Sequence, residues 1–301
     1  MQLRRTSIGG LAATALAIVV LAGTVRAATP VKVRDADRVK EWGGSAIDGW
    51  FAWEANTRAH PAVFKVYAKP DGGAAQRVPL AGPTRSPSLI ASGRRAGQVV
   101  FQALGLHAGD IRFYDPVADA VLRAPKTINT SATEEFPEVD GGSLTFDRHG
   151  SSGWDTIVYR FSTKTSTVIG HRMIAGQING DYAVYWKCSA STCDVMRYRL
   201  STQRLTTLAP AAAGRANYWP SVMPDGTVYY VQGSFNRCGR NTKILRLSAG
   251  TVTTVATVPD GTELAAMEAR TVNGIDQLLV TEVTCGSGGT IRDTGIYSIA
   301  I

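Results

Sequence analysis

Six times along the chain a short apolar segment is entered through a glycine-containing reversal, and this recurrence restricts the possible folds more than any other feature of the sequence. The reversals are Asp48-Gly49, the Gly93 to Gly97 loop, Asp140-Gly141-Gly142, Asn179-Gly180, Pro224-Asp225-Gly226 and Asn273-Gly274. Asn-Gly and Asp-Gly supply the positive φ that two-residue hairpins need, so each marks a bend between antiparallel strands. The segments that follow are Trp50 to Trp53, Val99 to Phe101, Leu144 to Phe146, Tyr182 to Trp186, Val228 to Val231 and Leu278 to Val283. All are rich in β-branched and aromatic residues, as strands are.

A further strand follows each of these. In three units it ends in nearly the same letters: Tyr159-Arg160-Phe161-Ser162, Tyr198-Arg199-Leu200-Ser201 and Leu245-Arg246-Leu247-Ser248. Alternation there turns one face to a neighbouring sheet and the arginine to water, which gives these arginines a structural reading. Phe64 to Tyr67, Ile111 to Tyr114 and Ile296 to Ile299 are the related strands. A closing strand is expected at Gln76 to Leu80, Ala120 to Ala124, Thr165 to Ile169, Arg204 to Leu208 and Val252 to Val258, but the sixth unit stops at Ile301 before one. Val31-Lys32-Val33 alternates correctly to supply it from the N-terminal side, which would remove an exposed sheet edge; the competing reading makes Thr29 to Asp37 a loose tail. With the strand before each turn, every unit holds four strands over roughly 40 to 50 residues, the dimensions of a propeller blade. The expected fold is therefore all-β, a single β-propeller of six four-stranded antiparallel blades closed by the N-terminal strand.

Two stretches carry a family resemblance. Phe136-Pro137-Glu138-Val139-Asp140-Gly141-Gly142-Ser143-Leu144-Thr145-Phe146 and Trp219-Pro220-Ser221-Val222-Met223-Pro224-Asp225-Gly226-Thr227-Val228-Tyr229-Tyr230 resemble the repeat of TolB-like, WD40-like (PD40) propellers: a Pro, a Pro-Asp-Gly turn and an apolar strand. The likeness spans about residues 40 to 299 and is sharp in units three and five. Units one, two and six lack the full turn, so counts from five to seven blades fit the pattern around the expected six. What the resemblance implies about function is a module that works through protein contacts.

The N-terminal residues read as an export signal: Arg4 and Arg5 precede an apolar run from Ile8 to Gly23, which ends in small residues around Val25-Arg26-Ala27. Cleavage is expected after Ala27, leaving one domain over 28–301. The run is shorter than the roughly 20 residues that span a bilayer, and no cysteine follows Leu21-Ala22-Gly23 to take a lipid. The arginine pair fits either a general secretory or a twin-arginine signal. Losing the signal removes three arginines and no acid, so the formal charge falls from +8 to +5. Without a Lys/Arg block, nucleic acid is a poor partner; a protein or an anionic envelope polymer fits better, around a monomer with no membrane span once the signal is gone.

Four cysteines in an exported chain favour disulfides. Cys188 and Cys193 flank one hairpin of unit four, while Cys238 and Cys285 occupy corresponding connections of the neighbouring units five and six. The expected pairs are Cys188 with Cys193 and Cys238 with Cys285. A zinc site is the rival, but no histidine lies near these positions in sequence and Cys188-x4-Cys193 is not a redox spacing.

His60, His107, His149 and His171 fall in connections or near strand ends and read as surface residues; the chain has no Gly-x-Ser-x-Gly elbow and no His-Glu-x-x-His motif. The segment Asp147 to Asp155 lacks the alternating acids of a calcium loop and reads as an ordinary hairpin connection. Glu134, Glu135 and Glu138 read as solvated acids near a rim rather than an acid–base pair. No cofactor, metal or catalytic residue is expected. The site expectation uses the ring itself: strand starts gather at one channel mouth whatever their sequence separation. Trp42, Arg85, Glu135, Arg172, Tyr218, Trp219 and Glu263 are thereby brought together as a ligand-binding surface. Against it stands the reading in which Trp42 and Trp219 only pack between blades. A binding or scaffold module outside the cytoplasm, in the secreted or periplasmic and envelope space, is the first functional expectation. The alternatives are a lyase or hydrolase acting on a small or glycan substrate in the channel, and a structural envelope protein.

Overall fold

The computed structural model describes residues 31–34, 40–56, 59–60, 62–105, 109–150, 153–189, 192–210, 214–233, 241–287 and 291–301. The expected signal, His107 and Cys238 lie outside the described residues. The strands form six separate four-stranded antiparallel sheets. Strand β1 (Val31–Arg34) precedes the blades. Blade 1 is β2 (Glu41–Ile47), β3 (Trp50–Asn56), β4 (Phe64–Pro70) and β5 (Gln76–Arg77); blade 2 is β6 (Thr84–Leu89), β7 (Val99–Ala103), β8 (Asp110–Asp115) and β9 (Ala120–Arg123). Blade 3 holds β10 (Thr133–Asp140), β11 (Ser143–Gly150), β12 (Gly153–Arg160) and β13 (Thr165–His171). Blade 4 holds β14 (Ile174–Asn179), β15 (Tyr182–Ser189), β16 (Thr192–Arg199) and β17 (Arg204–Ala209). In blade 5 the strands are β18 (Ala216–Val222), β19 (Val228–Gly233), β20 (Lys243–Ser248) and β21 (Thr251–Thr257). Blade 6 runs β22 (Thr262–Val272), β23 (Ile275–Cys285) and β24 (Ile291–Ala300), and β1 is its fourth strand, pairing Val31 with Ser298 and Lys32 with Tyr297. The ring is thus closed by its N-terminal strand, as the alternation of Val31-Lys32-Val33 predicts.

Burial grades outward from the axis and explains the composition of each strand. Val99–Ala103 is buried at every position because blades cover both of its faces, so it reads as a continuous apolar run and not as an alternation. The outermost strands Thr165–His171 and Thr251–Thr257 are exposed along most of their length and carry threonine instead. Between neighbouring blades lie six apolar clusters. Phe101, Tyr114 and Val66 join blades 1 and 2; Phe113, Phe146 and Tyr159 join blades 2 and 3; Tyr185, Met173 and Val158 join blades 3 and 4. Tyr230, Val195 and Leu245 lie between blades 4 and 5, the large group around Tyr218, Tyr229 and Val280 between 5 and 6, and Trp53, Ala55 and Ile296 between 6 and 1. Stability therefore resides in the contacts between sheets, at about 25 cal/mol per Å² of apolar surface removed from water.

Cys188 and Cys193 face each other on β15 and β16 and are disulfide-bonded, as expected for a pair flanking one hairpin. Cys285 is disulfide-bonded as well, and no described cysteine is free. Among the described residues, no helix is long and apolar enough to cross a membrane.

Candidate functional site

Every innermost strand breaks register near its start. The shifts fall between Trp42 and Ser45, Arg85 and Ser88, Glu135 and Glu138, Ala175 and Ile178, Tyr218 and Ser221, and Leu264 and Ala266. Such bulges re-aim side chains. Here they turn Gly43, Ser86, Phe136, Gly176, Trp219 and Ala265 toward a common cavity on the axis, of about 330 Å³. Proline marks three of them, Pro87, Pro137 and Pro220, because a residue with no N–H is tolerated only where the ladder is already broken. The residues just before these prolines, Ser86, Phe136 and Trp219, adopt φ of 50°, 51° and 48°. A left-handed conformation is costly for a side-chain-bearing residue, by about 1–2 kcal/mol, and is doubly restricted ahead of proline. Glycine fills the bulge of blade 4 for a different reason: a Cβ at Gly176 would lie 2.7 Å from the Val184 carbonyl oxygen and 2.8 Å from that of Pro220.

Just past the bulges, toward the tight turns, a belt of buried polar groups seals the floor. Ser45 Oγ accepts from Leu89 N and donates to Glu268 Oε1 at 3.1 Å, tying blades 1, 2 and 6. Ser88 Oγ accepts from Val139 N. The Gln177 Oε1 accepts from Ser221 Oγ, Val222 N and Ala269 N, while its Nε2 donates to Ala269 O at 2.7 Å, binding blades 4, 5 and 6 together. Arg270 Nε donates to Glu268 Oε1 and its Nη2 donates to the Val139 carbonyl, both at 2.9 Å, so it bridges blades 6 and 3 across the axis.

Acids dominate the cavity above this floor: Glu54, Glu138, Glu263 and Glu268 line it, and no basic side chain is among its described lining residues. Burial pushes the Glu54 carboxyl up to about 7, against the opposing pull of the Ser86 N–H, which donates to Oε2 at 2.7 Å, and of Arg85. Glu138 is held well above the ordinary carboxylate range by burial and then by the charge of Glu268, with Arg270 and Ser88 working the other way. Glu268 is raised by burial, opposed by Arg270. One oxygen of each of these last two, Glu138 Oε2 and Glu268 Oε2, has no hydrogen-bond partner among the described residues, and neither does Trp42 Nε1. An unmade buried hydrogen bond costs about 1–3 kcal/mol.

The residues expected at the mouth divide. Trp42, Trp219 and Glu263 line the cavity. Trp219 also packs its ring 5.2 Å from that of Trp186, tilted by 44°, so it packs between blades and lines the cavity at once. Arg85, Glu135, Arg172 and Tyr218 are not lining residues. Arg85 is exposed over the Phe64 ring at 5.0 Å, between the charges of Glu54 and Glu135. Burial raises the Glu135 carboxyl, with His149 and Arg85 opposing. Arg172 is exposed in the connection into β14, and Tyr218 is buried, its phenol pushed up to about 12 by burial and by Glu263. The solvated-acid reading of unit three is corrected: Glu134 is fully buried, holding Arg148 at 2.9 Å and the Thr130 hydroxyl at 2.7 Å, and Glu138 lines the cavity. Sequence reasoning missed Glu54, Phe136 and Glu268, of which Phe136 was signalled by the proline beside it. The described histidines are not among the cavity's lining residues: His149 stacks on Trp154 at 4.7 Å, and His171 Nδ1 lies 2.6 Å from Asp155.

No family model and no curated protein matches the sequence. Solved structures do match in shape. TolB from Acinetobacter baumannii superposes with a TM-score of 0.54 at 14% identity, over 84% of this chain and 64% of that one. A putative TolB from Agrobacterium tumefaciens gives 0.56 at 9% identity, over 87% and 90%. An oligogalacturonate lyase in complex with manganese gives 0.54 at 10%, over 91% and 96%. The chain spans just under two thirds of the first of these. At such identities the likeness shows the fold alone: this is a six-bladed β-propeller of the shape found in TolB and in propeller enzymes.

Proposed function

We propose that the mature chain is an exported binding module, which recognises a protein segment or an envelope polymer through the axial cavity of its propeller. The observation that carries this reading is the pair of bulky aromatics, Phe136 and Trp219, held at positive φ on the cavity wall. Strained backbone of this kind persists where surrounding structure enforces it, and it concentrates at binding surfaces. Aromatic area with few rotors, set among a few polar anchors, is what recognition sites use. Export accords with the disulfides and with the N-terminal signal pattern. The protein-contact role is the one the TolB-like repeat implies.

The test is capture from a cell-envelope extract with the secreted protein, compared with a Phe136→Ala/Glu263→Ala variant whose melting temperature shows it folded. Capture of a defined partner that the variant loses supports the reading; equal capture by both overturns it.

A second reading, a lyase or hydrolase working in the channel, is favoured by one observation. A carboxyl pushed up to about 7 in a cavity is suited to proton transfer near neutral pH. Turnover of a glycan or ester substrate that disappears in Glu54→Gln would move the assignment to the enzyme.

A further inference from the structure

The geometry points to a primary ammonium group as the chemical feature that the axial cavity recognises, an inference that rests on the binding reading of that cavity. Its charge is the first argument. The chain carries a formal +8, yet four glutamates and no described basic side chain line this space. Arg270 lies in the floor below and is already engaged by Glu268 Oε1 and the Val139 carbonyl. Burial opposes the ionisation of Glu54, Glu138 and Glu268, and a cation in the cavity relieves that opposition, the more strongly between low-dielectric walls.

Hydrogen bonding narrows the class. Glu268 is only 5% exposed, lines the cavity, and its Oε2 has no partner among the described residues; the Oε2 of Glu138, a half-buried residue of the opposite blade, has none there either. A cation favours the ionised form of both, and ionised carboxylates are acceptors only, so the groups that complete them are donors. A primary ammonium supplies three N–H groups, whereas a quaternary ammonium supplies none. The third unpartnered atom, Trp42 Nε1, is a donor and calls for a hydroxyl or carbonyl on the same ligand. Trp42, Phe136 and Trp219 line the same space, and aromatic rings attract cations over their faces. The volume of about 330 Å³ suits a short aliphatic amine or a single side chain.

The same ammonium chemistry comes from two sources, a free amino alcohol or a lysine side chain presented by a protein. Calorimetric titration of the secreted protein separates them with three probes: 6-aminohexanol, Nα-acetyl-lysine methylamide, and 1,6-hexanediol as a neutral control. Both amines are expected to bind at least about tenfold more tightly than the diol. The tighter of the two identifies the source. Glu138→Gln, isosteric and folded by melting temperature, is expected to weaken amine binding about tenfold, and Glu263→Gln on the accessible wall repeats the test without touching the floor. Affinity rises from pH 6 to pH 8 as Glu54, whose carboxyl is pushed up to about 7, ionises. The other charged groups around the cavity are Glu138 on β10, Glu263 and Glu268 on β22, with Arg270 in the floor beside Glu138 and Glu268 and Arg85 at the rim beside Glu54. Equal binding of the diol, indifference to both glutamine variants, or a flat pH profile would overturn the inference. If amines fail while capture still depends on Phe136 and Glu263, the ammonium assignment falls alone; if capture fails as well, the binding reading falls with it.

Discussion

Glu54 sits where burial opposes its ionisation, and the sign of the resulting pH dependence can be worked out. Its folded pKa, about 7, lies above the ordinary 4.5, so between those values the folded chain binds more protons than the unfolded one. Stability from this residue is therefore full below about pH 4.5 and is lost as pH rises through 7. Glu54→Gln removes that dependence: the melting temperature of the wild type should fall relative to the variant by about 2 °C or more between pH 5 and pH 7.5. Parallel curves would show that Glu54 is an ordinary exposed acid. Phe136 offers a complementary prediction. It is 37% exposed and holds φ at 51°, so glycine there relieves backbone strain while forfeiting limited burial. Phe136→Gly should change stability by less than about 1 kcal/mol and abolish ligand capture. A large loss of stability would make Phe136 a packing residue instead.

At the scale of strands, the legible and the illegible parts of the sequence separate cleanly. Each glycine reversal from Asp48-Gly49 to Asn273-Gly274 joins the first two strands of a blade, because positive φ at a tight turn is a local requirement written in local residues. Strand starts were legible too, but the bulges were not. One extra residue on the inner strand changes which side chain meets the axis, so Ser86 and Phe136 line the cavity where their neighbours Arg85 and Glu135 were expected. Proline ahead of an apolar strand was the available signal in blades 2, 3 and 5. Glu54 and Glu268 had none, since a second-strand acid of blade 1 and an acid of blade 6 line one cavity only once the two ends of the chain close the ring. The hairpin of β15 and β16 gives a prediction at this scale. Its disulfide closes a very short loop, so the Cys188→Ala/Cys193→Ala variant should lose about 2 kcal/mol, measured by denaturant unfolding. Cys193 is itself fully buried against blades 5 and 6. A loss well beyond that figure would mean that the pair chiefly anchors that interface.

For the whole molecule, the decisive feature is that the ring has one seam. Among the described residues, five interfaces between blades each bury seven or more apolar residues in a cluster, but the interface of blades 6 and 1 buries three, Trp53, Ala55 and Ile296. Polar bonds supplement it: Glu41 N and Gly43 N donate to Thr294 Oγ1 at 2.6 Å and Thr281 Oγ1 at 3.0 Å, and Asn273 N donates to Asp48 Oδ1 at 2.6 Å. Chain ends meet in this same region, where β1 pairs with β24 at only three positions. A ring whose interfaces differ this much opens locally at the weakest one. Native-state amide exchange is therefore expected to be fastest, among the paired strands, in β24 and β2, and slowest in the doubly covered β7 and β19. Starting the chain at Asp35 removes β1. At about 1 kcal/mol for each paired position the loss is about 3 kcal/mol, and exchange should accelerate in β24 and β2 before any other blade responds. The bared edge of β24 also becomes a template for pairing with a second molecule, so the shortened chain should associate in a concentration-dependent way that a chain retaining β1 does not. Uniform acceleration around all six blades would instead show that the polar belt on the axis, from Ser45 to Arg270, couples the ring into one cooperative unit and that no seam governs its opening.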